Sequence, residues 1–149
     1  MILIFNPYIG AGPFKFEATP EEIQLNFQDK PKISKDYLGN RRDDFGAIGF
    51  CYDENDKLSE ICFPPEGVSI YLDTQCLIGD SSVKTLELLL KKDPNPLDVT
   101  GFLVFLKLGV NITGFHDNNE SQKSFNIFKK GWWDDMLEEA TPYKLNGNT

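Results

Sequence analysis

Between Phe45 and Phe63 large apolar residues recur with a period of two, and the pattern is broken once, by Asp53-Glu54-Asn55-Asp56-Lys57. Period two is the mark of strands that bury one face. A polar break this short leaves no room for a crossover, so the two strands must run antiparallel as a hairpin. With Asn55-Asp56 as the two-residue loop, Phe50 lies opposite Ile61 and Ile48 opposite Phe63. Four large side chains then stack on one face, and Cys51 and Cys62 sit diagonally on the other. Pro64-Pro65 ends the returning strand. A sheet with one apolar face needs a covering layer, and the rest of the chain must supply it.

Two segments predict helices. Thr19-Pro20-Glu21-Glu22 is a capping box. The Thr19 hydroxyl accepts from the Glu22 amide, Glu22 reaches back to the Thr19 amide, and Pro20 occupies the first helical position. Ile23 and Phe27 share a face, and Pro31 stops the helix soon afterwards. Gly79-Asp80-Ser81-Ser82 opens a second helix, with Val83, Leu86 and Leu90 in one stripe and Leu89 beside it. Lys91 and Lys92 in its last turn complement the helix dipole.

Residues 30–44 are polar and read as a long surface loop. Val68 to Leu72 alternates as a third strand. Residues 97–108 are apolar without a decisive period, so Phe102 to Leu106 fits a strand or a helical turn equally. Val110 to Phe115 and Ser124 to Lys129 form a second hairpin around the polar turn Asp117 to Gln122, and the tail from Glu138 is expected to fray. Helix, loop and hairpin thus occur twice. The expected fold is α+β: two helix-plus-antiparallel-hairpin units, about 10–76 and 77–137, forming one layered domain over 1–149 with helices packed on an antiparallel sheet and residues 138–149 as tail.

Composition narrows the function. Lys plus Arg total 15 against 23 Asp plus Glu, a net charge of −8, and each basic pair (Arg41-Arg42, Lys91-Lys92, Lys129-Lys130) adjoins or lies near acids. Such a chain repels phosphate backbones and anionic lipid, so neither nucleic acid nor membrane is an expected partner, whereas a basic protein would be drawn in. Cys51, Cys62 and Cys76 are odd in number and lack a CxxC pair, which fits small apolar residues in a reducing compartment. Met1 to Phe5 is too short an apolar run for a signal peptide, so the cytosol is expected.

No motif predicts chemistry. His116 is the single histidine and stands beside a turn, where a solvated side chain is the ordinary role. The cysteine gaps of 11 and 14 are unlike the close pairs of structural zinc sites. Asp53-Glu54-Asn55 begins like a calcium loop, but Pro64 stands where the bidentate glutamate belongs. Gly10 and Gly12 form only a GxG, with no phosphate-cradling loop. No cofactor or metal is expected. A small hydrolase or transferase would have to use His116 or the paired acids at 43–44 and 134–135. A ligand-sensing or structural domain, with self-association, is the third option.

Surface aromatics point to protein binding instead. Trp132 and Trp133 are adjacent, so on extended chain one enters the core and the other meets solvent among Lys129, Lys130, Asp134 and Asp135. An aromatic anchor within a polar rim is the composition of a binding hot spot. Tyr37, Tyr71, Asp43 and Asp44 are the secondary candidates.

The opening Gly12-Pro13-Phe14-Lys15-Phe16, followed by Thr19, Glu22 and Ile23, resembles a loose group of small bacterial cytosolic proteins, many of them immunity proteins of contact-dependent or polymorphic toxin systems. Their opening reads roughly Gly-Pro-x-x-Phe-Gly-Met-Thr-x-x-Glu-Val; Glu17-Ala18 here replaces the Gly-Met. Leu108-Gly109-Val110 to Phe115 and the closing Lys130-Gly131-Trp132-Trp133-Asp134 are similar to the same group. A like helix opening occurs in exported β-lactamase-inhibitor and barrel-assembly lipoprotein types. The resemblance implies a non-catalytic inhibitor that neutralises a cognate, basic toxin by occluding its active surface.

Overall fold

A computed structural model describes residues 1–64, 66–78, 82–115 and 123–143. Among these the chain is α+β, with two sheets and two α-helices. The strands are β1 (Ile2–Asn6), β2 (Gly10–Ala11), β3 (Phe14–Lys15), β4 (Lys32–Lys35), β5 (Arg41–Phe45), β6 (Ile48–Tyr52), β7 (Leu58–Phe63), β8 (Ser69–Leu72), β9 (Gln75–Ile78), β10 (Leu97–Val99), β11 (Phe102–Phe105), β12 (Val110–Thr113), β13 (Ser124–Phe128) and β14 (Thr141–Pro142). The helices are α1 (Pro20–Gln24) and α2 (Ser82–Lys92), with a 3₁₀ segment at Asp134–Glu139.

The larger sheet is antiparallel in the order β14-β10-β11-β12-β13-β7-β6-β5-β4. It contains the expected hairpin of β6 and β7, and Phe50 does face Ile61. The loop itself differs from the two-residue expectation. A bulge at Cys51/Tyr52 pairs Tyr52 with Leu58, and residues 53–57 form a longer turn closed by the Asp53 carboxylate, which accepts from the amides of Asn55 (2.9 Å) and Lys57 (3.0 Å). Residues 30–44 are not a loop. They contain β4 and most of β5, paired from Lys32↔Asp44 to Lys35↔Arg41. All four residues of β4 are exposed, so no burial rhythm announced it, and its lysines suit an unpaired edge. The ambiguous 97–108 stretch resolves into β10 and β11, two short antiparallel strands turning at Thr100-Gly101.

The smaller sheet, β3-β2-β1-β8-β9, corrects the expectation of a wholly antiparallel fold. β1 pairs parallel with β8, Leu3 opposite Ile70. The third predicted strand therefore leaves the hairpin's sheet and joins the N-terminus.

Between the layers lies a core of Leu3, Phe5, Phe14, Ile23, Phe50, Ile61, Ile70, Leu89, Phe105, Val110, Phe125 and Ile127, with other side chains packed around them. The capping box forms as the sequence requires: Glu22 N donates to Thr19 Oγ1 (3.3 Å) and Thr19 N to Glu22 Oε1 (3.2 Å). That fixes Ile23 in the core and sets Phe27 to stack between Phe14 (5.7 Å) and Phe45 (4.0 Å). On α2 the buried line is Thr85 and Leu89, with Leu86 beside it, while Val83 is 65% exposed. The buried face is thus turned about the helix axis from the expected stripe, onto Leu89 and away from Val83; Gly79-Asp80-Ser81 lies outside the described residues.

Of the expected tail, residues 138–143 are described and 144–149 lie outside the described residues. Residues 134–139 form the 3₁₀ segment, and Thr141–Pro142 pair with Asp98 and Leu97 on the edge of β10. No helix among the described residues is long and apolar enough to span a membrane.

Candidate functional site

The two faces of the larger sheet differ in chemistry. One carries Phe50, Ile61, Ile127, Val110 and Phe105 into the core in a single cross-strand row. The other carries polar side chains through its middle. Glu60 on β7 accepts from Asn111 Nδ2 (3.0 Å) and Trp132 Nε1 (2.8 Å). Asn126 donates to Asn111 Oδ1 (2.8 Å) and to Ser124 Oγ (3.3 Å), and Ser124 meets Thr113 at 2.7 Å. Asn111 and Asn126 are buried, so these bonds replace those lost to water. Burial raises the Glu60 pKa, and the bonds from Asn111 and Trp132 only partly offset it.

Toward β5 the same face holds Arg42, Asp44, Cys51 and Cys62. The Arg42 guanidinium binds Asp44 through Nε (3.1 Å), and its Nη1 lies 3.8 Å from both Cys51 Sγ and Cys62 Sγ. The diagonal placing of the two cysteines follows from Cys51↔Glu60 and Gly49↔Cys62, as the hairpin pattern required. Toward β10 the face turns apolar, and the chain folds back over it: Val99, Val104, Phe128 and Trp133 form a second small core with Phe102, Leu137 and Ala140 against it.

The predicted site residues fall in four places. Trp133 is only 8% exposed and packs on Phe102 and Phe128, which makes it a core residue. Trp132 is half-buried and tied to Glu60, while Asp134 and Asp135 are exposed at the start of the 3₁₀ segment. Asp43 and Asp44 are neighbours on a strand and therefore point to opposite faces. Asp43 is buried, in a two-bond pair with Arg41 (2.7 and 3.0 Å), and Asp44 pairs with Arg42. Their carboxylates do not converge. Tyr71 is half-buried on β8 of the smaller sheet. Tyr37 stands in the β4–β5 turn, 87% exposed, next to Leu38 at 70%. His116 lies outside the described residues.

These patches do not make one surface. The 3₁₀ segment packs by β10 and Tyr37 by β4, strands seven positions apart in the sheet order. At about 4.8 Å per strand they are separated by roughly 30 Å. The β4–β5 tip is the better-defined apolar protrusion. Asp36 Oδ1 accepts from the amides of Leu38 and Asn40 (both 2.9 Å), and Asp36 N donates to Asn40 O (2.8 Å). Gly39, at φ 85°, supplies the left-handed position that closes the turn. Leu38 was not among the sequence's candidate binding residues; a Tyr-Leu pair behind an Asx-capping aspartate was the available signal.

Cys76, on the smaller sheet, bonds Ile78 O and is remote in pairing from Cys51 and Cys62. Among the described residues no cluster of three or more His, Cys, Asp or Glu side chains could hold a metal ion. A depression of about 470 Å³ runs along α2, lined by Lys84, Glu87, Leu88, Leu90 and Lys91. All of its lining comes from one helix, so it is a surface groove.

No protein-family model matches the chain, and no curated protein or solved structure does.

Proposed function

We propose that the chain is a cytoplasmic protein that binds another protein, and that the β4–β5 tip is its anchor. The observation that carries this reading is the pair Tyr37 and Leu38: two large side chains held mostly in solvent on a turn already fixed by four hydrogen bonds. Burial of such a pair in a partner gains apolar area at little ordering cost, because the turn is preorganised. Lys32, Lys35 and Asp36 form a charged rim around it. The net charge of −8 steers a basic partner toward the chain from a distance.

The resemblance of the Gly12–Ile23 opening and of the Trp132–Asp134 ending makes that partner a cognate toxin and the chain its immunity protein. The strand order supports the two-unit reading behind it. α1 precedes β4 to β7, α2 precedes β10 to β13, and the last strands of the two sets, β7 and β13, pair antiparallel. An antiparallel join between two similar units is what an approximate two-fold axis produces.

The test is to coexpress the chain with the product of the gene immediately upstream and measure the complex by calorimetry. Tyr37→Ala with Leu38→Ala should weaken binding by about 30-fold or more and leave the melting temperature almost unchanged. Binding reduced less than about twofold would remove the tip from the interface. No complex at all would remove the immunity reading.

A further inference from the structure

The polar face of β6 and β7 holds a second arrangement that the binding role does not use. Gly49 stands opposite Cys62, and a Cβ at Gly49 would lie 2.3 Å from Arg42 Nη2. The missing side chain is therefore the cradle in which the guanidinium lies. From there its Nη1 reaches Cys51 Sγ and Cys62 Sγ at 3.8 Å each. Both cysteines are half-buried. The register places Cys51 and Cys62 diagonally on facing strands and on the same face, so the two sulfurs flank one guanidinium.

We propose that Cys51 is a nucleophilic thiolate, stabilised by Arg42 and by the Cys62 thiol, and that hydroperoxides convert the pair reversibly to a disulfide. The bond from Cys62 holds the Cys51 thiol below the ordinary range, with Arg42 assisting, against burial and the charges of Glu60 and Asp44; Cys62 is pushed well above it. Cys51 is thus the more acidic thiol of the two and the better placed to react as thiolate. In the first step Cys51 Sγ attacks a peroxide oxygen. An S–O bond forms as the O–O bond breaks, sulfur gives up two electrons, and the departing oxygen takes a proton from solvent as water or an alcohol. In the second step Cys62 Sγ attacks the Cys51 sulfenic acid. The S–S bond forms, the S–O bond breaks, and the leaving hydroxide takes the Cys62 proton as water.

The folded full chain is treated with hydrogen peroxide and mapped by peptide mass spectrometry, with Cys76 as the internal standard in every sample. Cys51 should oxidise about tenfold faster than Cys76, and the product should be a 51–62 disulfide that a dithiol reductant reverses. Cys62→Ser should instead leave a sulfenic acid at Cys51 that dimedone captures. Gly49→Ala displaces the Arg42 guanidinium and the Asp44 carboxylate beside it, both ends of side chains with no backbone atom as near, so the variant keeps its fold and should bring the Cys51 rate down toward that of Cys76. Equal rates for Cys51 and Cys76 in the wild type would overturn the proposal. So would oxidation of Cys51 without a bond to Cys62, or a Gly49→Ala variant that melts normally and reacts as fast as wild type.

Discussion

Trp133 offers the sharpest test of the fold, because the sequence left open which of Trp132 and Trp133 enters the core and the structure buries Trp133. Its ring is 8% exposed and meets Phe102 at 5.3 Å and Phe128 at 6.0 Å. A large aromatic buries about 150–250 Å², which at about 25 cal/mol per Å² is an upper limit of roughly 4–6 kcal/mol. Against that, the indole N–H faces the Glu60 carboxylate without reaching hydrogen-bond geometry, and an unmet buried donor costs about 1–3 kcal/mol. Trp133→Ala should therefore lose about 3 kcal/mol, at the low end of Trp→Ala changes. For a chain of this size the melting temperature should fall by about 6–12 °C. Trp133→Phe keeps a ring in the cluster and removes the unmet donor, so its loss should be about 1 kcal/mol or less. Urea unfolding with a constant m-value measures both. A Trp133→Ala loss below about 1 kcal/mol would refute the packing argument, and a Trp133→Phe loss equal to that of Trp133→Ala would refute the treatment of the indole N–H.

Thr19→Ala removes the acceptor that begins α1 and should cost about 1 kcal/mol, while Thr19→Ser should cost little; thermal melts of the two variants separate cap chemistry from side-chain volume. Glu60, whose folded pKa is raised by burial, supports the fold fully below its unfolded pKa and withdraws that support as pH rises through the folded value. Glu60→Gln should flatten this part of the stability–pH curve, at the cost of one of the two accepted bonds because its amide NH2 meets the donor of Asn111 or Trp132, and an unchanged curve would refute the shift. Asp53 has the opposite sign. Burial opposes its charge, yet Lys129 Nζ at 2.6 Å and the amides of Lys57 and Asn55 hold its pKa below the ordinary range. Its contribution is present above the unfolded pKa and lost as pH falls through the folded one. Asp53→Asn should cost about 1–2 kcal/mol at neutral pH, with the difference from wild type vanishing in acid.

What could be read in advance was what is local or strictly periodic. The Thr19–Glu22 box is closed within four consecutive residues. The Phe50–Ile61 register survives even though the turn is longer than expected, because slipping it by one residue would turn Phe50, Ile61 and Phe63 toward the polar face. β4 was missed because an edge strand exposed along its whole length has no alternation to show. The parallel pairing of β1 with β8 joins residues far apart in sequence, and β1 hides its rhythm by carrying Ile2 and Ile4 on its solvent side. The polar row was half-visible: Glu60, Asn111 and Asn126 each interrupt an otherwise apolar strand, but only the tertiary register brings them side by side.

The division of the polar face also decides where a partner can act. Its β10 end is closed by Trp133 and the 3₁₀ segment, so a ligand there would have to displace a packed cluster. Its middle is largely committed: Glu60, Asn111, Asn126, Ser124 and Thr113 bond one another, and Asn126 Oδ1, which meets no donor among the described residues, is buried, so a newcomer gains little by exchanging these bonds. The β4–β6 end differs on both counts. There β4 leaves one edge of the sheet unpaired, and Tyr37 and Leu38 project beyond it. Backbone groups and apolar area still unspent are what a partner can use, so affinity should be lost by substitutions at Tyr37 and Leu38 and kept by substitutions at the exposed acids Asp134 and Asp135.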